Sequence, residues 1–243
     1  MKKLKKWIIG IDEVGRAARR RASPLIIGID EVGRGALAGP IVVCAALVHT
    51  DFRRRKSVRL ATSGTPLRDS KKLSPKQRER WAAYFKGNPA IEFSVARVYP
   101  RRIEKMNISR AANLAATRAY KKRIVISAAK SKLFANSRKL ANKEITDIPV
   151  FLDGGLFLGN GKQPKNAKTV VKGDEKIPAI AIASIVAKVH RDRYMCRLAK
   201  KYPAYGFDVH KGYGTKSHYR AIRKHGVSDV HRKTFLRGNR QSS

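Results

Sequence analysis

The chain has 243 residues, enough for one domain with a substantial core plus an appendage. Its 55 Lys and Arg against 17 Asp and Glu give a formal net charge of +38, which calls for a polyanionic partner, nucleic acid first and an anionic membrane second. Cys44 and Cys196 are too few for a disulfide framework and lack metal-ligand spacing, so a reducing cytosol is expected, with both thiols as small buried hydrophobes.

The Lys-rich start, Met1 to Ile9, briefly imitates a secretory leader, but its apolar run ends at Asp12 with no cleavage-type site. No stretch reaches the apolar length of a membrane span. A soluble, cytoplasmic protein is expected. The block Ile8-Ile9-Gly10-Ile11-Asp12-Glu13-Val14-Gly15-Arg16 recurs letter for letter at Ile26 to Arg34. The first copy runs into Ala17, Ala18 and three arginines, which cannot make a buried partner strand. The second continues through Gly35 to the apolar run Ile41 to Val48, which can pair back as a hairpin. Residues 1–22 are therefore read as a basic extension and the second copy as the working one.

In that second copy an apolar strand leads into Asp30 and Glu31, then Gly33-Arg34-Gly35. Neighbouring strand residues face opposite ways, so the two acids need a bend to share a site, and the glycines permit one. Two readings stand at this point: acids at a strand end facing water, or a site for a divalent metal and a phosphodiester.

The basic stretch Arg53 to Lys56 reads as a solvated loop. After Asp69-Ser70-Lys71-Lys72-Leu73 a helix begins, with Ser74 as cap, Pro75 in the first turn and Gln77 completing a capping box, and it stops near Gly87. Ile91 to Tyr99 reads as a strand, Arg102 to Lys122 as a helix, and Ala128 to Lys143 as a basic helical segment. Two short apolar runs follow, one ending at Asp153 and one at Gly173-Asp174. Pro178 opens a long helix to Lys201 with an apolar stripe of Ile182, Ile185, Val189, Cys196 and Ala199. Ser184, Lys188 and Arg191 share another of its faces. The tail, 202–243, interleaves tyrosines with histidines and cations.

Asp30, Asp153 and Asp174 each follow an apolar run with glycine close by. Sites in open α/β sheets gather beyond the carboxyl ends of strands, where these acids and Glu31 can meet. Crowded carboxylates repel unless cations bind among them, and hard oxygen ligands favour Mg²⁺ or Mn²⁺. In so basic a chain this pattern suits a metal-dependent nuclease.

These blocks, with Leu37-Ala38-Gly39-Pro40, the run from Ala183 to Asp192, Tyr205-Gly206-Phe207 and His210 to Thr215, resemble ribonuclease HII, of the ribonuclease H-like superfamily, in the family's order. The resemblance implies a ribonuclease H-like mixed β-sheet flanked by helices over residues 23–201. It also implies a C-terminal helical segment, 202–243, closing over a substrate groove. The implied activity is hydrolysis of the RNA strand of RNA–DNA hybrids and nicking 5′ to single ribonucleotides in duplex DNA. Two Mg²⁺ or Mn²⁺ ions would be held by Asp30, Glu31, Asp153 and Asp174. Gly33, Arg34 and Gly35 would read the 2′-hydroxyl, Tyr213 would stack on the neighbouring deoxyribose, and Ser70, Lys71, Ser184, Lys188 and Arg191 would hold phosphates. Asp192 is read as an ion-pair partner, Tyr202, Tyr205 and Tyr219 as core, Lys72 as solvated, and His190, His210 and His231 as phosphate contacts or surface groups. A monomer is expected, and a replication-clamp partner is left open. The duplicated block, the long basic loop and the excess charge depart from the family pattern. The alternatives are a non-catalytic basic nucleic-acid-binding protein and a metal-dependent DNA nuclease without ribose selectivity.

Overall fold

The computed structural model describes residues 25–49, 67, 70–134, 148–159 and 163–236, with backbone alone for 126–134. The first repeat copy, the basic stretch Arg53 to Lys56, Asp69 and the basic segment beyond Phe134 lie outside these residues.

The second repeat copy forms the central strand. β1 (Leu25–Val32) pairs antiparallel with β2 (Ile41–His49), and β2 with β3 (Ile91–Val98). On its other side β1 pairs parallel with β4 (Val150–Asp153), and β4 with β5 (Ala167–Val170), giving the order β3-β2-β1-β4-β5. The hairpin read from the run after Gly35 is therefore present, in a mixed sheet.

Strand alternation divides the core in two. Ile27 and Ile29 of β1 with Val43, Ala45 and Leu47 of β2 face one side. There they meet Ile103 of α2 (Pro100–Met106) and the alanines 111, 112, 115, 116 and 119 of α3 (Ile108–Phe134). Cys44, Ala46 and Val48 face the other side. Their partners are Trp81 and Phe85 of α1 (Pro75–Gly87) and the first turns of α5 (Pro178–Lys201). The capping box at Ser74 and Gln77 is formed as the sequence predicts.

Three sequence expectations need correcting. The single helix from Arg102 is two, broken at Asn107, whose φ of 69° ends α2 while its side-chain oxygen accepts the Arg110 amide and starts α3. The stripe on α5 is too narrow, since Pro178 to Ala187 is buried on all sides between sheet and α1. Cys196, placed on that stripe, is exposed, whereas Cys44 is buried.

The short α4 (Gly173–Lys176) precedes α5, and the C-terminal segment holds α6 (Phe207–His210), α7 (Lys216–His225) and α8 (Lys233–Leu236). Tyr205 and Phe207 pack with Met195, Leu198 and Ala199 of α5 and with Ala38 of the β1–β2 connection. A bridge between Ala38 and His231 fastens the segment to that connection. Among the described residues no helix is long and apolar enough to cross a membrane.

Candidate active site

Close packing of α5 on β1 sets the floor of the site. A Cβ at Gly28 would lie 2.1 Å from the Ala179 carbonyl carbon, so the helix can come this near only over glycine. Asp30, two residues on, faces the same helix. It is 5% exposed, its Oδ1 accepts the Glu31 amide at 2.6 Å, and Ser184 of α5 hydrogen-bonds its carboxyl. Ser184 in turn lies 2.8 Å from the buried Ser70 hydroxyl. The two serines expected to hold phosphate are thus linked behind Asp30.

β1 continues to Val32, so the chain bends after both acids and not between them. The turn falls at the glycines, as the sequence suggests, and it lies beyond both acids, which stay within the strand. Asp30 and Glu31 leave opposite faces. Both nonetheless feel Asp153, which ends the neighbouring parallel strand one residue beyond the Ile29–Leu152 pairing. Burial first, then the charges of Glu31 and Asp153, hold the Asp30 carboxyl well above its usual range. Burial and Asp153 likewise raise Glu31, against the lowering effect of Arg34. One Glu31 oxygen pairs with Arg34 Nη1 at 3.3 Å, while the other is buried with no hydrogen-bond partner.

Asp153 Oδ1 accepts the Gly173 amide at 2.7 Å, which ties the end of β4 to the start of α4. Asp174, the next residue, is half-buried in the first turn of α4. The structure thus brings Asp30, Glu31 and Asp153 within each other's electrostatic reach and sets Asp174 one residue from the amide bound by Asp153. Among the described residues no three such side chains already stand in a metal-holding arrangement. The donor chemistry still fits a hard divalent cation, because an orphaned buried carboxylate oxygen and mutually raised acids are what such an ion relieves.

Beside the acids lies the glycine turn, and its glycines serve different ends. Gly33 has φ +88°, and a Cβ there would strike Arg191 Nε at 2.2 Å. Gly35 is exposed, and a Cβ there would meet nothing within 4 Å. Gly33 is a packing glycine, whereas the space at Gly35 is open to whatever approaches from outside. Arg34 between them reaches Glu31 and, through Nη2, the Ser109 hydroxyl at 3.1 Å.

Across from the turn, Tyr213 is half-buried, with the Arg191 guanidinium 5.1 Å and Lys188 Nζ 5.8 Å from its ring centroid. It borders a groove of about 580 Å³ that also takes in Lys188, Asp192, Arg193 and Lys211. Lys188 pairs with Asp192 at 2.8 Å, the ion-pair role read for that acid. Lys71 is exposed on the turn Ser70–Lys72, while Lys72 pairs with Glu175 at 2.7 Å and is more than a solvated side chain. Arg191, expected on a phosphate, has another place. It is fully buried, and its guanidinium donates to the carbonyls of Pro40, Lys211 and Ala38 at 3.1, 2.8 and 3.1 Å.

His210 and His231 are buried, not surface groups, and they form a cluster with His218, which no sequence pattern marked. Tyr205, read as core, is buried and stacks on Phe207. His190 is half-buried, edge-on to Phe93. The cluster's hydrogen bonds close with every ring neutral. His210 donates to Tyr205 O and accepts the Gly212 amide. His218 donates from Nδ1 to Tyr213 O, while His231 accepts the Ser228 amide at Nδ1 and donates from Nε2 to His218 Nε2, 3.1 Å away. An added proton would set N–H against N–H. Burial lowers both His218 and His231 from 6.5 to about 4. The unfolded chain therefore binds more protons than the folded one between these values, and stability falls as pH drops from 6.5 to about 4. Melting temperature followed across that range is expected to drop by several degrees. The drop is expected to be smaller in His218→Gln, and an equal drop in the variant would discount the cluster.

A family model for ribonuclease HII matches residues 27–238. Similar proteins include the ribonuclease HII of Chloroherpeton thalassium, 39% identical over 94% of this chain and 89% of that protein. That of Shouchella clausii is 37% identical over 94% of this chain and 68% of that protein. Among solved structures, the PCNA:RNase HII complex from Archaeoglobus fulgidus aligns with TM-score 0.56 at 23% identity, covering 89% of this chain and 97% of that one. Bst-RNase HIII in complex with Mn²⁺ aligns with TM-score 0.56 at 20% identity, over 90% of this chain and 67% of that one. At those identities the two structures speak to the fold alone.

Proposed function

The chain belongs to the ribonuclease HII family and is an endonuclease of the ribonuclease H type, and from that premise we propose that it nicks duplex DNA 5′ to an embedded ribonucleotide and cleaves the RNA strand of RNA–DNA hybrids, using two Mg²⁺ or Mn²⁺ ions. The observation that carries this reading is the exposed, unobstructed Gly35 beside Glu31 and the buried Asp30. A backbone turn open to close approach next to a carboxylate cluster suits a group that only a ribose presents, the 2′-hydroxyl.

Asp30, Glu31, Asp153 and Asp174 would hold the ions, which when bound supply an activated water and stabilise the leaving oxygen. The protein's own residues do the rest. The Ser70–Ser184 link fixes Asp30 from behind. Of the Gly33-Arg34-Gly35 turn, Arg34 and the open Gly35 read the ribose, with Gly33 setting the turn against Arg191 and Arg34 steadied by Glu31 and Ser109. Tyr213, backed by two cations, stacks on the adjoining sugar, and Lys71 and Lys188 take the flanking phosphates. Arg191 acts from beneath, through the carbonyls it holds. The Archaeoglobus fulgidus neighbour was solved with PCNA, and a replication clamp is accordingly a candidate partner here.

The test is incubation with a duplex carrying one ribonucleotide, with and without Mg²⁺ or Mn²⁺. One metal-dependent nick 5′ to the ribonucleotide is expected, with an all-DNA duplex left intact. Equal cutting of both duplexes would leave a metal-dependent nuclease without ribose selectivity.

A further inference from the structure

The turn at Gly33-Arg34-Gly35 is fastened from inside by an arginine that neither periodicity nor any motif marked. Arg232, just before α8, is fully buried. Its Nη1 donates to the Arg34 carbonyl at 2.9 Å, and its Nε and Nη2 donate to the Gly39 carbonyl at 3.1 and 2.9 Å. Its backbone amide donates to Leu37 O at 2.7 Å. Both ends of the β1–β2 connection thus hang on one side chain. The buried Arg191 holds Ala38 and Pro40 of the same connection and joins them to Lys211, two residues from Tyr213.

A guanidinium is costly to bury, and an apolar side chain would fill the space more cheaply. Only a planar fork reaches carbonyls at two points of a loop at once. Burial and the nearby Arg191 lower its pKa to about 9, which still leaves it charged at neutral pH, and Phe235 stacks 5.3 Å from its carbon.

We propose that Arg232 is a positioning residue for cleavage: it fixes the Arg34 carbonyl, and through it the ribose-reading turn, relative to Asp30 and Glu31. This rests on the ribose-reading role given above to that turn. Arg232 touches no substrate in this account. Its effect is to hold the turn where a shift of about 1 Å would cost on the order of a hundredfold in rate.

The experiment is single-turnover cleavage of the one-ribonucleotide duplex by the full chain in excess, with Mn²⁺, reading rate constant and amplitude separately. Arg232→Lys is expected to lower the rate constant about 10- to 100-fold with the amplitude intact and the half-saturating protein concentration within about threefold of the original. Phe235→Leu keeps the guanidinium but removes its stacking partner, and is expected to lower the same rate constant less, about threefold to tenfold. Because Phe235 is half-buried, this variant serves if the lysine variant does not fold. An unchanged rate constant with reduced amplitude would mean a purely structural arginine and would overturn the proposal, as would no change in either variant. If the unaltered protein cuts all-DNA duplex equally well, the ribose-reading role falls first and takes this inference with it. Selectivity in the unaltered protein with unchanged variants sinks this inference alone.

Discussion

Asp30→Asn is expected to reduce nicking of the ribonucleotide duplex on the order of a thousandfold or more while making the metal-free protein more stable. The two effects share one cause. Asp30 is buried beside Glu31 and Asp153, and its carboxyl titrates well above the ordinary value of 3.8. A group whose folded pKa exceeds its unfolded one costs stability as pH rises above the unfolded value, so at neutral pH the charge at Asp30 is a burden on the fold. Asparagine removes that charge and keeps an oxygen for the Glu31 amide and the Ser184 hydroxyl. The melting temperature without metal should rise, and the further rise on adding Mn²⁺ should shrink, because the asparagine variant has less charge to relieve. Asp12→Asn, in the first copy of the repeat, should leave nicking nearly intact. Gel assays of the two variants decide between the copies, and the opposite pattern would mean that the working strand has been misassigned.

Gly28→Ala and Gly35→Ala are expected to fail in opposite ways. At Gly28 the new Cβ meets only backbone, at 2.1, 2.3 and 2.4 Å from atoms of Ala179 and Ile180. No side chain can swing aside, so α5 must lift from β1, at about 3 kcal/mol or more. Urea unfolding measures that loss. The lift would also draw Ser184 away from Asp30, so activity should fall in step with stability. Gly35 has open space around it, and alanine there should change stability by no more than about 0.5 kcal/mol. Its methyl would instead occupy the volume proposed for the sugar, so cleavage at the ribonucleotide should drop in a protein that melts normally. A Gly35→Ala protein that cuts as well as the original would remove Gly35 from the ribose-reading turn. A Gly28→Ala protein of undiminished stability would mean that strand and helix do not meet so closely.

Period and punctuation made much of this legible in advance. The strand through Ile26 to Asp30, its hairpin partner, the capped helix at Ser74 and the long helix from Pro178 each carry a local signal, because propensity, alternation and capping act within a few residues. The acids stood out for a related reason: in a chain of this charge a carboxylate at the end of an apolar run has few bland explanations. The break at Asn107 carries no such signal, because one asparagine in a left-handed conformation leaves the apolar spacing on either side unchanged.

Where each polar group spends its hydrogen bonds was decided only in three dimensions. Arg191 and Lys188 lie on one helix face and read alike in sequence, yet one is buried against three carbonyls and the other borders the groove. His210, His218 and His231 meet only because α6, α7 and the strand-like bridge at Ala38 converge. The two glycines of one motif part in the same way, Gly33 pressed on Arg191 and Gly35 open. The elements and the acids are legible along the chain, since both follow from residue type and short spacing. Which cations face a substrate and which hold the loop beneath it was left to the tertiary structure, because a buried guanidinium is satisfied by carbonyls from distant segments, and no local pattern encodes that arrangement.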